Sequence, residues 1–181
     1  MQRLDSALVE HGLCDSREKA KRLIMAGQVT INAQPARKPS DRVQASDALA
    51  LLAREKYVSR GGHKLEHALR HFHLAVEHQT AIDLGASTGG FTDCLLQHGA
   101  LRVHAVDTGY GILDWKLRTD PRVVTHERAN LLHWRAPEPL DLVVIDAGWT
   151  PQRLSVPAAL RWLKPQGALL SLVKPQYEVE K

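Results

Sequence analysis

Thr80-Ala81-Ile82-Asp83-Leu84 runs directly into Gly85-Ala86-Ser87-Thr88-Gly89-Gly90-Phe91, and no other stretch restricts the fold as much. A short apolar run that breaks into a glycine-dense loop predicts a buried strand, a tight turn and a helix continuing to about Gln97. That is the opening unit of a doubly wound, Rossmann-like α/β sheet, in which the loop between strand and helix faces a ligand. The glycines allow close approach to the backbone. Their spacing is not G-x-G-x-x-G, and no lysine follows as in a phosphate loop. Arg102-Val103-His104-Ala105-Val106-Asp107 predicts a second strand, ending in an acid 24 residues after Asp83. A carboxylate there can accept hydrogen bonds from ribose hydroxyls. The expected cofactor is an adenosine compound without a dominant phosphate requirement, which describes S-adenosylmethionine.

Val123-Val124, Leu140–Ile145 and Ala168–Val173 predict three further strands, with a helix over Pro151–Leu163 that has proline at its start. Ligands in such sheets bind beyond the carboxyl ends of the strands. Asp83, Asp107, Asp146 and Lys174 all fall at such ends, and this coincidence marks the candidate active site. Upstream, Gly61-Gly62 precedes a predicted helix from about His63 to His73, with Leu65, Ala68, Leu69 and Phe72 on one side. Lys64 lies in its first turn, where the helix dipole disfavours a cation.

The net charge of +4 is not spread evenly: residues 1–60 carry 11 Lys/Arg against 7 Asp/Glu, and residues 61–181 carry 13 of each. A basic small domain beside a neutral larger one suggests a grip for a polyanion. Leu4, Ala7 and Leu8 have helical spacing. Asp15 is placed to cap a second helix, with Glu18 reaching back and Ala20, Leu23 and Ile24 on one face. Gly27 stops that helix, Gln28–Asn32 alternates like a strand, and Asn32-Ala33-Gln34-Pro35 reads as a turn. Val43 and Ala48–Leu52 are further short strand candidates. The expected module is a small α+β domain over residues 1–53, followed by a polar linker at 54–61 and the α/β domain at 62–181. Arg17, Lys21 and Arg22 on the second helix could lie along an RNA backbone, reading shape and phosphate rather than bases.

Cys14 and Cys94 read as reduced core thiols. His63, His67, His71, His73 and His78 include i,i+4 pairs able to hold a metal, yet the simpler reading is a helix surface carrying histidines, and no metal site is expected. No apolar run of about 18 residues and no apolar signal core are present, so neither a membrane span nor export is expected, and a cytoplasmic location follows.

Arg3-Leu4-Asp5, Leu13, Ser16-Arg17, Ala20, Leu23-Ile24, Ala26-Gly27, Val29, Ile31-Asn32, Lys38-Pro39-Ser40, Val43 and Asp47 resemble the S4-like RNA-binding domain. By that resemblance Arg3, Ser16, Arg17, Lys21, Arg22, Asn32 and Lys38 are the candidate RNA contacts. Tyr57–Leu65, Asp83–Leu95, Ala105–Gly111 and Leu172–Glu178 are similar to the hemolysin A-type (TlyA) family, whose methyltransferase domain resembles FtsJ-type ribose 2′-O-methyltransferases. Members of that family methylate cytidine in ribosomal RNA. The resemblance implies S-adenosylmethionine as cofactor and ribosomal RNA or ribosomal subunits as partners, with no metal. Of the family's Lys-Asp-Lys-Glu catalytic set, Lys64, Asp146 and Lys174 match the first three positions. Lys174 would be the base, oriented by Asp146, with Lys64 positioning the hydroxyl or a phosphate. The cofactor residues match Asp83, Gly85, Ser87, Thr88, Gly89, Gly90, Phe91, Asp107 and Asn130.

Two departures bear on these expectations. Members usually read Asp-Val-Ser-Phe-Ile-Ser after the fourth strand, where this sequence has Asp146-Ala147-Gly148-Trp149-Thr150. The sequence also stops at Lys181, before the last strands of a fold of this type and the position of the fourth catalytic residue; Glu178 and Glu180 follow Lys174 too closely to fill it. A domain without its last strands is therefore expected, with poor methyl transfer. Two alternatives stand beside the enzyme reading: a non-catalytic RNA- and S-adenosylmethionine-binding protein, and a membrane-active hemolysin. Against the second, no strongly amphipathic apolar segment is present.

Overall fold

The computed structural model describes residues 1–52 and 56–178; Glu180 and part of the expected linker lie outside them. The chain divides into two compact units, Met1–Glu55 and Lys56–Lys181.

The first unit contains β1 (Gln2–Arg3), α1 (Leu4–Glu10), α2 (Arg17–Met25), β2 (Val29–Ile31), β3 (Gln34–Pro35), β4 (Arg42–Val43) and β5 (Leu49–Leu51). Strands β3, β2 and β5 form an antiparallel sheet in that order, and β1 pairs with β4. The helices close over a core of Leu4, Leu8, Cys14, Ala20, Ile24, Val29 and Val43. Ser16, not Asp15, caps α2: its backbone is extended and its hydroxyl accepts from the Lys19 amide at 3.2 Å. The helix begins at Arg17, one residue too late for Asp15 to cap it, and Asp15 pairs with the Lys19 ammonium at 2.6 Å instead. The β2–β3 turn places Asn32 and Ala33 at φ 51° and 64°. Two successive left-handed residues match the right-handed twist of a tight hairpin.

The second unit contains α3 (Gly61–His71), β6 (Thr80–Leu84), α4 (Gly90–Gln97), β7 (Arg102–Val106), α5 (Trp115–Arg118), β8 (Val123–His126), β9 (Leu140–Ile145), α6 (Gln152–Leu160), β10 (Leu163–Ser171) and α7 (Pro175–Glu178). Its sheet runs β10-β9-β6-β7-β8, and every pairing is parallel. Both faces are covered. Leu142 and Val144 of β9 pack with Leu65, Leu69 and Leu95 on one side. Val143 and Ile145 pack with Ile82, Leu84, Val106 and Ala159 on the other. Burial on both faces is why β6 and β9 are largely apolar, with Asp83 and Asp141 their charged exceptions. The direction of winding reverses at β6, which lies between β7 and β9, so a crevice opens at the carboxyl ends of these strands. α6 ends at Leu160, earlier than expected, because the chain has already turned into β10, whose register shifts between Leu163 and Ala168.

Within β7, His104 is 2% exposed. Its Nδ1 lies 3.1 Å from His126 Nε2 and its Nε2 lies 3.3 Å from Glu138 Oε1. Burial lowers the pKa of both imidazoles. The unfolded chain therefore binds protons that the folded one refuses, and stability should fall as the pH drops from about 6.5 towards 5. His126→Gln keeps a side-chain donor for His104 but cannot be protonated. Its melting temperature should decline less over that window, and superimposable pH profiles for the two proteins would show that the pair does not titrate.

Candidate active site

The glycine loop is built for close approach. Gly85 has φ +88°, and a Cβ on it would sit 3.0 Å from the Asp146 carbonyl oxygen. A Cβ on Gly90 would meet Ser59 Oγ at 2.2 Å and the Gly62 amide nitrogen at 2.9 Å. Asp107, just past β7, braces the loop: its Oδ2 accepts from the Ser87 amide at 2.8 Å and its Oδ1 from the Gly109 amide at 2.7 Å. Each oxygen retains a second lone pair. Asp83 lies deeper, at 1% exposure. Its Oδ2 accepts from the Thr92 amide at 2.9 Å and hydroxyl at 2.7 Å, while Oδ1 has no partner among the described residues. Burial pushes this carboxyl up to about 7, against the opposing effect of the Thr92 bonds.

Three residues distant in sequence meet at one carboxylate. Asp146 follows β9, Lys174 follows β10, and Lys64 lies in the first turn of α3. Lys174 Nζ is 2.5 Å from Asp146 Oδ1 and donates to the Asp146 carbonyl at 3.2 Å. Lys64 Nζ is 3.8 Å from Asp146 Oδ2. The nearby carboxylate offsets the unfavourable helix dipole at Lys64.

Two cavities meet at Gly85, Ser87 and Asp146. One, of about 740 Å³, is lined by Asp107, Thr108, Asn130, Leu131, Trp149 and Lys174 among others. The second, of about 520 Å³, is lined by Ser59, Arg60, Lys64, Asp83, Thr88, Gly90 and Phe91 among others. Of the predicted cofactor residues, Gly89 lines neither. Asn130 Oδ1 accepts from the Leu132 amide at 2.9 Å, so its side chain secures a turn in the cavity wall.

Sequence reasoning missed Ser59, Arg60, Thr108 and Leu131 as lining residues, whereas Trp149 belongs to the stretch after the fourth strand already noted for its departure. Gly61-Gly62 was the available signal for the strap at Ser59 and Arg60. Trp149 is 88% exposed, with its ring centroid 5.2 Å from that of Tyr177. It follows Asp146 at the same interval at which Tyr177 follows Lys174. Beyond them the Gln152 amide donates to both carboxylate oxygens of Glu178, at 3.0 and 3.1 Å. Glu178 thus secures the start of α6.

In the first unit, the predicted RNA contacts differ in what they already do. The Arg3 and Arg17 guanidinium groups donate to Asp5. Ser16 caps α2, and Lys21 lies 3.6 Å from Glu18. Asn32 donates to Asp47 at 2.8 Å and accepts from the Ala48 amide at 2.9 Å, so both ends of its amide tie the β2–β3 turn to the segment entering β5. Arg22 and Lys38 are exposed.

The FtsJ-like methyltransferase family model matches residues 57–181, and the S4 domain model matches residues 2–49. The chain is 45% identical to Bacillus subtilis YqxC over 98% of its own length and 65% of that protein. It is 44% identical to the Mycobacterium tuberculosis 16S/23S rRNA (cytidine-2'-O)-methyltransferase TlyA, over 99% of this chain and 69% of that one. Brachyspira hyodysenteriae Hemolysin A is 37% identical, over 99% and 76% of the two chains. A solved Streptococcus thermophilus structure, of a protein named as a hemolysin, superposes at a TM-score of 0.69 with 41% identity, covering 99% of this chain and 68% of that one. An S-adenosylmethionine dependent methyltransferase from Mesorhizobium loti shares the fold alone, at a TM-score of 0.50 and 22% identity over 57% of this chain and 50% of that one. The chain thus spans slightly less than two thirds of YqxC and somewhat more of the M. tuberculosis TlyA and the Brachyspira Hemolysin A. On the family model that matches most of its length, and on relatives that match nearly all of it, this chain belongs to the FtsJ-like methyltransferase family and carries an S4 domain at its N-terminus.

Proposed function

We propose that the chain transfers a methyl group from S-adenosylmethionine to a ribose 2′-hydroxyl, that of cytidine in ribosomal RNA, and that its S4 domain supplies much of the RNA affinity. The observation that carries this reading is the single carboxylate, Asp146, held between two lysines where two cavities meet. The choice of cytidine and ribosomal RNA rests on the TlyA relative.

The residues fit the cofactor. The unpartnered Asp83 Oδ1 is a buried acceptor awaiting a donor such as the amino group of a methionine moiety. Asp107 retains acceptor capacity for ribose hydroxyls, and at Gly85 a side chain would crowd the loop. S-adenosylmethionine supplies an electrophilic methyl group when bound. The chain has to hold the poorly nucleophilic hydroxyl in line and accept its proton. In its neutral form the Lys174 amine takes that proton and becomes the ammonium, Asp146 aims the amine and pairs with the cation that results, and Lys64 steadies the hydroxyl or its neighbouring phosphate. The chemistry needs no membrane and no metal and suits the cytoplasm. No described helix is long and apolar enough to cross a membrane.

Incubation with methyl-labelled cofactor and ribosomal subunits, followed by mapping of the modified nucleotide, tests this function. Label on a cytidine 2′-oxygen is expected. Cofactor and RNA binding without any transfer would make the chain a binding protein. Calorimetry tests the cofactor site alone: Gly85→Val, strained at φ +88° and crowding Asp146, should lose at least about tenfold in affinity, or about 1.4 kcal/mol. Unchanged binding would move the cofactor away from this loop.

A further inference from the structure

We infer that Asp5 is a positioning residue for the RNA grip, because it holds the Arg3 and Arg17 guanidinium groups side by side on one buried carboxylate. The inference rests on the proposed reading of the first unit as the RNA-binding one.

Asp5 lies in the first turn of α1 and is 0% exposed. Arg3 Nε and Nη2 each reach it at 3.0 Å, one to each carboxylate oxygen, and Arg17 Nη2 reaches Oδ2 at 3.1 Å. Arg3 precedes α1, while Arg17 is the first residue of α2. One acid therefore gathers cations from two elements. The arginines hold the Asp5 carboxyl down at about 2, with the Arg3 hydrogen bond as the largest cause. Each guanidinium carries five donors. Arg3 spends two on Asp5 and Arg17 one, and their side chains remain 40% and 56% exposed.

A buried ion pair is seldom the most stable filling for such a site; an apolar residue of similar volume often does as well. What a carboxylate adds is proximity and order. Two guanidinium groups bonded to the same oxygen would repel without the charge between them. Arginine is flexible, and fixing two of them before RNA arrives removes an ordering cost from binding. Their spare donors then suit phosphate oxygens, which they can meet in pairs.

The consequence runs against simple charge counting. Asp5→Asn raises the net charge by one, yet RNA binding should weaken. The test uses the full chain and a fluorescein-labelled ribosomal RNA stem-loop, with anisotropy titrations across a salt series. Asp5→Asn should raise Kd roughly tenfold and lower the log–log salt slope by about one to two, as ordered phosphate contacts are lost. Binding that is unchanged or tighter overturns the inference. Arg17→Gln and Arg3→Gln test the underlying reading: if neither weakens binding, the RNA grip lies elsewhere and the inference falls with it. Should Asp5→Asn fail to fold by circular dichroism, the two arginine variants, altered only at exposed side chains, decide instead. Coupling of about threefold or more in their double-mutant cycle supports a shared anchor, and strict additivity overturns it.

Discussion

Lys174→Met should lower methyl transfer by about 10²–10⁴-fold, the usual worth of general acid–base assistance, while S-adenosylmethionine binding persists. Methionine fills a similar volume but cannot accept a proton. The ion pair at 2.5 Å leaves an obvious rival account, in which Lys174 merely keeps Asp146 in place. Lys174→Arg separates the two. Arginine preserves the charge and can still pair with Asp146, yet it does not deprotonate at any accessible pH. A base role makes the arginine variant as slow as the methionine one, whereas a purely structural role lets it recover most of the rate. Single-turnover measurements on ribosomal subunits, with calorimetry of the cofactor on the same preparations, give both readouts. A wild-type rate for Lys174→Arg would remove Lys174 from proton transfer and make Lys64 the next candidate.

Asp83→Asn should make the ligand-free protein more stable and at the same time strip it of most cofactor affinity. Its carboxyl is pushed from the ordinary aspartate range up to about 7 by burial. A folded-state pKa raised in this way contributes stability below the unfolded value, near 4, and loses it as the pH climbs through about 7. At pH 8 the ionised buried carboxylate costs on the order of 2–4 kcal/mol. Asparagine keeps an oxygen for Thr92 and sheds the charge, so the melting temperature of the ligand-free protein should rise by roughly 5–10 °C at pH 8 and far less at pH 5. A cationic amino group would stabilise the carboxylate, so wild-type cofactor binding should release a proton and weaken below about pH 7. Calorimetry in buffers of different ionisation enthalpy measures that proton. A variant that is less stable at pH 8, or that binds the cofactor normally, would show that Asp83 is held as a neutral structural group.

Of the strands that build the crevice, β6 and β9 were legible to the residue, whereas β10 runs over Leu163–Ser171 and not Ala168–Val173. Thr80–Leu84 and Leu140–Ile145 are largely buried on both faces and bounded by loops, so a mostly apolar run between turn residues delimits them. Lys64, Asp146 and Lys174 were identifiable as positions, although their convergence on one carboxylate needs the parallel order of the sheet. What escaped depends on neighbours remote in sequence. α3 starts at Gly61 because the chain packs tightly there, with Tyr57 so close to Gly62 that a Cβ would lie 2.2 Å from its ring. The choice of Ser16 over Asp15 as cap turns on a single residue of helix length. Thr108 and Leu131 come from two separate loops, and no spacing rule links them. Asp5 shows the same limit: a lone acid in a helical first turn gives no hint of the arginine, twelve residues on, that completes its pairing.

The two sides of the crevice are secured by different means. On one side, Asp83, Gly85 and Asp107 are fixed by buried strands and by hydrogen bonds within the glycine loop. On the other, residues 146–152 and 174–178 lean largely on each other, through Lys174, the Trp149–Tyr177 rings and the Glu178 cap. Substitutions on the second side, Asp146 and Lys174 excepted, need only suit their partner across the gap and leave the sheet undisturbed. The rest of that lining can therefore vary while the Asp146–Lys174 pair is inherited intact, and the Ala147-Gly148-Trp149-Thr150 departure falls on the editable stretch.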